Sequence, residues 1–155
     1  MTENITKIDI YTDGAASKNG TEECKAGWSF VALQNGEVIK QTGGAIFPGT
    51  NNIGELTAIL EAIKFFNSLE VPEKMLTIYS DSAYCVNGIN EWMFNWKKND
   101  WFRNAAKTLT LKNKEIWQEI DSILDRDRCI VMKVAGHSGD EWNELCDRIA
   151  KGYTR

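Results

Sequence analysis

The sequence predicts an α/β fold: a mixed five-stranded sheet with helices on both faces. Two observations predict it. The first third of the chain holds three strand-like runs that can pair as an antiparallel meander, and the remainder alternates helical patterns with strand patterns. Alternation of this kind adds parallel strands to a sheet and places helices against its faces.

The three opening runs cover residues 5–13, 26–33 and 37–47. In the first run Ile8 and Ile10 fall on one face and polar side chains on the other, as in a half-buried strand. Asn35-Gly36 stands between the second and third runs, and Asn-Gly at such a place is a strong hairpin signal. Strands 1 to 3 are therefore expected to pair antiparallel.

The later patterns alternate helix and strand. They predict helices over residues 53–69, 109–124 and 140–151, strands over residues 74–80 and 129–134, and a helix from Asp81-Ser82 to about Trp92. Thr50-Asn51-Asn52 precedes the first helix and supplies side chains suited to cap it. Each predicted strand thus ends where a helix or a connection begins.

Composition restricts the classes of protein that this chain can belong to. A length of 155 residues predicts one domain over residues 1–155, and the hydrophobic fraction of 43% is that of a soluble globular protein. We find no secretory signal and no membrane-spanning apolar run. The four cysteines, Cys24, Cys85, Cys129 and Cys146, have no CxxC spacing. They indicate reduced thiols in the cytoplasm and argue against a zinc site.

Charge is unevenly distributed along the chain. The net charge is −4, which by itself argues against a nucleic-acid partner. Residues 96–114 nevertheless carry six basic side chains against one acidic one, Asp100. This segment is either a solvated surface or a local phosphate contact on an otherwise acidic body.

Four acids stand at predicted joints between strands and helices: Asp13, Glu55, Asp81 and Asp147. Of these Glu55 is the most informative, because its position on the helical arc places it toward the sheet, where an unpaired charge is costly. Each of the others has a plain alternative. Asp13 with Gly14 could form a sharp turn, Asp81 could be only a helix cap, and the spacing of Asp147 is that of a surface residue.

Several carboxylates at one end of a sheet would form a site of hard oxygen ligands, which suits Mg²⁺. Two such ions could activate water and stabilise the leaving oxygen of a phosphodiester.

Four separated motifs resemble those of the type 1 ribonucleases H, and the resemblance covers nearly the whole chain. They are Tyr11-Thr12-Asp13-Gly14, then Thr50-Asn51-Asn52 with Glu55-Leu56, then Tyr79-Ser80-Asp81-Ser82, and last Gly136-His137-Ser138-Gly139 with Asn143 and Cys146-Asp147. Their order matches that of the family, and chance does not readily produce all four. Ile53-Gly54 departs from the pattern, which raises the question of how stable the start of this helix is.

The resemblance implies a ribonuclease H fold and hydrolysis of the RNA strand of RNA/DNA hybrids, leaving 5′-phosphate and 3′-hydroxyl ends. It makes Asp13, Glu55, Asp81 and Asp147 ligands of two Mg²⁺ ions, with Mn²⁺ as a second option. Asp13 would bridge both ions, Asp147 would complete the ion that holds the attacking water, and Glu55 and Asp81 would complete the other. His137 would assist proton movement or product release.

The resemblance also implies substrate contacts. Asn51 and Asn52 would read the minor groove of the hybrid, where the 2′-hydroxyl distinguishes RNA. Residues 92–101 resemble the family's basic handle, which grips the DNA strand. The expected contacts there are Trp92, Trp96, Lys97, Lys98 and Trp101, and Asn143 is a further one. Some of these tryptophans could instead be core residues.

Three other functions remain to be weighed: a catalytically silent hybrid-binding module, another nuclease or strand transferase of this fold, and a nucleotide-binding protein. The complete carboxylate set argues against the first, and Asn51-Asn52 with the handle against the second. A Gly-rich phosphate loop, which the third requires, is not found. We expect a monomer, because no long apolar face is left unassigned.

Overall fold

The computed structural model describes residues 5–18, 21–135 and 140–155. It forms one mixed sheet of five strands in the order β3-β2-β1-β4-β5. The strands are β1 (Thr6–Ser17), β2 (Lys25–Gln34), β3 (Glu37–Ile46), β4 (Lys74–Ser80) and β5 (Cys129–Lys133). β1 to β3 pair antiparallel, whereas β4 pairs parallel with β1 and β5 parallel with β4. The predicted fold class is confirmed.

Helices cover both faces of the sheet. They are α1 (Asn51–Ser68), α2 (Ala83–Asn87), α3 (Met93–Lys98), α4 (Lys114–Ile123) and α5 (Glu141–Gly152), and a π-helical segment, Gly88–Trp92, joins α2 to α3. The main core lies between α1 and the face of the sheet that holds Ile8, Ile10 and Ile78. On the other face Cys146 of α5 packs with Val31 and Leu33 of β2 in a smaller cluster.

The first strand is longer than predicted. Asp13 does not end β1, and Gly14 does not turn the chain, because the strand continues to Ser17 and Gly14 pairs with Trp28 of β2. The glycine is needed for packing. A Cβ atom on Gly14 would lie 2.3 Å from the backbone nitrogen of Glu55, so the missing side chain lets α1 approach β1 closely.

The start of α1 is well formed despite Gly54. The Thr50 hydroxyl caps it by accepting a hydrogen bond from the Ile53 amide at 3.1 Å. Gly54 is itself a packing requirement, since a Cβ atom there would lie 2.6 Å from the carbonyl oxygen of Gly27 on β2. Two glycines, Gly14 and Gly54, thus bring the first turn of α1 against β1 and β2.

Two predicted helix bounds are wrong. The helix after β4 does not end near Trp92 but continues through the π-helical segment into α3. The helix expected from residue 109 begins only at Lys114, because Asn113 before it adopts a left-handed conformation with φ of 61°. Residues 109 and 110 pair instead with Arg103, whose backbone and side-chain nitrogens donate to their carbonyl oxygens.

Within these described ranges, no helix has both the length and the apolar character needed to cross a membrane.

Candidate active site

Asp13 lies on β1, the central strand of the sheet, and is 3% exposed. The Gly14 amide donates to its Oδ1 at 2.8 Å. Burial, followed by the nearby Asp81 carboxylate, raises the pKa of Asp13 to about 7. A buried carboxylate in the centre of a sheet is unusual, and these two causes make its charged form costly without a cation.

Glu55 projects from the second turn of α1 toward Asp13. It is 5% exposed, which confirms that it faces the sheet. Its Oε2 is buried and accepts no hydrogen bond from any residue that the structure describes. Burial, Asp13 and Asp81 raise its pKa well above the ordinary glutamate value. Two of the four acids are therefore buried side by side.

Asp81 follows the last residue of β4, so the parallel pairing of β4 with β1 brings it to the same end of the sheet as Asp13. Its plain alternative, a helix cap, is wrong, since the cap of α2 is Ser82, whose hydroxyl accepts from the Cys85 amide. One carboxylate oxygen from each of Asp13, Glu55 and Asp81 lies within 4.8 Å of the other two.

This group of three fits a divalent metal ion. It offers only oxygen donors, the ligands that Mg²⁺ and Mn²⁺ prefer. Burial and neighbouring carboxylates raise the pKa of Asp13 and of Glu55, and one buried oxygen, Glu55 Oε2, is without a hydrogen-bond donor in the described part of the chain. A cation would remove both costs at once.

Asp147 lies on α5, on the opposite face of the sheet from α1, and does not join the group of three within that distance. Its side chain is 22% exposed, so it is less of a surface residue than its spacing suggested, and its Oδ2 lies 2.9 Å from Lys151 Nζ. It is close enough to raise the pKa of Asp13. His137 lies outside the described residues, and its role stays a prediction.

Asn51 and Asn52 occupy the exposed first turn of α1, about one turn before Glu55. Asn52 lines a cavity of about 700 Å³ between this turn and the segment after α3. Trp92, Trp96 and Tyr84 form its aromatic wall, and Arg103 and Lys112 bring positive charge to it. One of the two predicted minor-groove residues and two predicted handle residues thus line one cavity.

The tryptophans of the handle differ in exposure. Trp96 is 8% exposed and packs edge to face on Trp117 with ring centroids 5.1 Å apart, so it is largely a core residue. Trp92 is 38% exposed. Trp101 lines a smaller neighbouring cavity in a left-handed conformation with φ of 66°. Of the three tryptophans, Trp92 is therefore the one that a ligand can reach most easily.

The two predicted lysines also differ. Lys97 forms an ion pair with Asp121 of α4 at 3.1 Å, whereas Lys98 is exposed at the end of α3. Asn143 is 2% exposed, and its backbone N–H donates to Oδ1 of Asp140, the N-cap of α5. Its predicted contact with substrate stays a prediction.

Sequence reasoning missed two residues of this region. The Tyr84 hydroxyl lies 3.3 Å from both Asn113 Nδ2 and Trp117 Nε1, and so ties α2 to the wall of the cavity. Nothing in the spacing signals that contact. Lys151 pairs with Asp147, and its position four residues later on a helix was a signal that could have found it.

Comparison with known proteins agrees with this geometry. A statistical model of the RNase H family matches residues 6–154. A ribonuclease H of Clostridium botulinum (strain Hall) is 43% identical over 147 residues, which are 94% of this chain and 94% of that protein. The ribonuclease HI of Haemophilus influenzae is 38% identical over 145 residues, 94% of this chain and 88% of that protein.

Solved structures share the fold. LC9-RNase H1, described as a type 1 RNase H with the type 2 active-site motif, superposes with a TM-score of 0.83 at 21% identity, covering 97% of this chain and 72% of that one. LC11-RNase H1 in complex with an RNA/DNA hybrid gives 0.66 at 19% identity, covering 96% and 99%. The match over nearly the whole sequence and the shared sheet lead to one conclusion: this chain belongs to the ribonuclease H family.

Proposed function

We propose that this protein hydrolyses the RNA strand of RNA/DNA hybrids, using divalent metal ions held by Asp13, Glu55, Asp81 and Asp147. The observation that carries the proposal is the group of three carboxylates within 4.8 Å, two of them buried. Membership of the ribonuclease H family supplies the reaction and its dependence on metal. The proposed ions are Mg²⁺, with Mn²⁺ as the second option, because every proposed ligand atom is a carboxylate oxygen.

The carboxylates act as ligands rather than as acids or bases. When bound, two divalent ions would lower the pKa of a water and stabilise charge on the leaving 3′ oxygen, which leaves a 5′-phosphate. Asp13 is central among the ligands, because Glu55, Asp81 and Asp147 all influence its charge. The Gly14 amide at 2.8 Å orients its Oδ1. His137 would assist proton movement or product release.

Substrate choice is assigned to the turn beside Glu55. Asn51 and Asn52 are exposed there and carry amide groups that can donate to and accept from base edges and a 2′-hydroxyl in a wide, shallow minor groove. Trp92 and Lys98 would contact the DNA strand, one through its aromatic face and the other through a phosphate. The roughly 700 Å³ cavity beside Asn52 lies between these two groups of contacts.

The chain is further proposed to act in the cytoplasm as a monomer of one domain. Three of the four cysteines are buried, and their scattered spacing is that of reduced thiols in a reducing compartment. Light scattering after size exclusion should give the mass of one 17.5 kDa chain. A mass of twice that value would contradict the monomer.

The direct experiment is cleavage of an RNA/DNA hybrid labelled on its RNA strand, with Mg²⁺ or with EDTA, by the intact protein and by Asp13→Asn. Single-stranded RNA and double-stranded DNA are the controls. Metal-dependent cutting of the hybrid alone, lost in the variant, is the expected result. Binding of the hybrid without any cutting would contradict the proposal and indicate a silent hybrid-binding module.

A further inference from the structure

Lys151 forms an ion pair with one of the four proposed metal ligands. Its Nζ lies 2.9 Å from Oδ2 of Asp147, one helical turn earlier on α5. The Asp147 side chain is 22% exposed and that of Lys151 is 57% exposed. The pair therefore joins a partly buried carboxylate to an ammonium group that solvent can reach.

The same carboxylate stands outside the group formed by the other three acids. Oxygens of Asp13, Glu55 and Asp81 lie within 4.8 Å of one another, and among the described residues Asp147 is not part of that group. Its charge is already compensated by Lys151. A metal ion that Asp147 ligates through Oδ2 would share that oxygen with an ammonium group that repels it.

The geometry points to Lys151 as a built-in counter-cation, which holds Asp147 in the metal-free protein and competes with the metal ion for it. Lys151 is thus a positioning residue that weakens metal binding at the position served by Asp147. The inference rests on the proposed function, since it assumes that Asp147 is a ligand.

The competition is weak enough to be reversible. Ion pairs that solvent reaches contribute little, because water screens the charges and two side chains must be ordered. A buried ion pair in this place would oppose metal binding strongly. An exposed ion pair lowers the affinity of the protein for the metal ion only modestly. Removing the ammonium is therefore expected to tighten metal binding by about three- to tenfold.

The test is calorimetric titration of the metal-free protein with Mn²⁺, comparing the intact chain with Lys151→Met. The matched control is Lys64→Met, which removes another ion-paired lysine, held by Glu61 and Glu119 at 3.3 and 3.1 Å. Tighter binding is expected in Lys151→Met and unchanged binding in Lys64→Met. A role in helix stability alone would lower the melting temperature in EDTA without tightening Mn²⁺ binding.

Repeating the comparison in an Asp147→Asn variant shows whether Lys151 acts through the Asp147 carboxylate. There the effect of Lys151→Met should vanish, because the carboxylate for which both cations compete is gone. Equal or weaker Mn²⁺ binding by Lys151→Met would overturn the inference, and so would tightening that persists in Asp147→Asn. Failure of the proposed function looks different: the intact chain and Asp13→Asn would then bind Mn²⁺ equally.

Discussion

At the scale of single residues, the site is defined by acids that are costly to bury. Asp13 and Glu55 are nearly inaccessible, and burial raises the pKa of both. The position of Glu55 could be predicted, because helical spacing alone places it on the arc that faces the sheet. That three acids meet could not be predicted from spacing, because they come from three elements whose proximity depends on strand order.

The raised pKa of Asp13 predicts how the stability of the metal-free protein depends on pH. The folded state holds this proton up to about pH 7, whereas the unfolded chain releases it near pH 4. Because the folded state binds more protons, the free energy of unfolding should fall as pH rises from 4 through 7. Thermal denaturation in EDTA should show this fall, and Mg²⁺ should restore stability most at high pH.

Asp13→Asn is the control, since an amide does not titrate. Its melting temperature in EDTA should exceed that of the intact chain at pH 8 by about 3 °C or more, because 1 kcal/mol corresponds to about 2–4 °C in a domain of this size. Identical pH profiles for the two proteins would show that Asp13 does not carry the effect.

At the scale of elements, the close approach of α1 to the sheet positions Glu55. Gly54→Ala would place a Cβ atom 2.6 Å from the carbonyl oxygen of Gly27, so the helix would have to shift. We expect a loss of about 1–3 kcal/mol in the free energy of unfolding, together with weaker Mg²⁺ binding, as measured by urea denaturation and calorimetry.

Gly152→Ala is the matched control for that change. Gly152 ends α5, and a Cβ atom there would meet nothing within 4 Å. Its stability should be unchanged or slightly higher, since alanine favours helix. Equal effects of the two substitutions would mean that close packing of α1 is not what Gly54 provides.

The turn between α1 and β4 holds Glu73 in a left-handed conformation with φ of 47°. A non-glycine residue is strained there, by roughly 1–2 kcal/mol, whereas glycine is not. Glu73→Gly should therefore stabilise the protein by about 1 kcal/mol in urea denaturation. Glu70→Gly, in the same connection but without a positive φ, should be neutral or destabilising. A destabilised Glu73→Gly would contradict this account of the turn.

Elements with strong local signals were predicted well, and those fixed by tertiary contacts were not. β4 has the predicted bounds because its apolar run is bounded on both sides. The start of α4 was missed because Leu109 continues the helical spacing of Ile116, while Arg103 draws residues 109 and 110 into a loop. β1 is longer than predicted because Gly14 is needed for close packing against α1 and does not form a turn. The local sequence does not distinguish these two uses of a glycine.

At the scale of the whole molecule, positive charge is concentrated on one segment of an acidic protein. Residues 96–114 hold six of the eighteen basic residues, and Lys98 is exposed within them. This distribution suits a ligand whose phosphates are attracted by the basic segment and repelled by the acidic remainder of the surface. The resemblance was needed to identify that ligand, since charge alone also fits a solvated surface.

Changing Lys97 and Lys98 together to alanine should weaken binding of an RNA/DNA hybrid and flatten its salt dependence. The slope of log affinity against log salt should fall by about 0.9 or less for each phosphate that the variant no longer neutralises. Most of the weakening should come from Lys98, because Lys97 is engaged by Asp121. Fluorescence anisotropy at several salt concentrations measures both quantities.

Lys7→Ala with Lys64→Ala is the control pair. Lys7 lies near the start of β1, well before Asp13 in the strand, and both lysines are ion-paired on the surface. Their removal should leave the salt slope unchanged. An unchanged slope in the Lys97 and Lys98 variant as well would contradict the assignment of this segment to DNA contact.

The central claim is that buried carboxylates at one end of the sheet hold the metal that cleaves RNA. The most direct measurement compares Glu55→Gln with Glu61→Gln, two isosteric changes on one helix, in Mg²⁺-dependent cleavage of a labelled hybrid. Glu61 faces outward and pairs with Lys64, so its variant should cleave normally. The rate of cleavage by Glu55→Gln should fall on the order of a hundredfold or more. Mutation of a residue that only supports a metal ligand already lowers metal affinity or activity by about ten- to hundredfold. Equal cleavage by both variants would contradict the account.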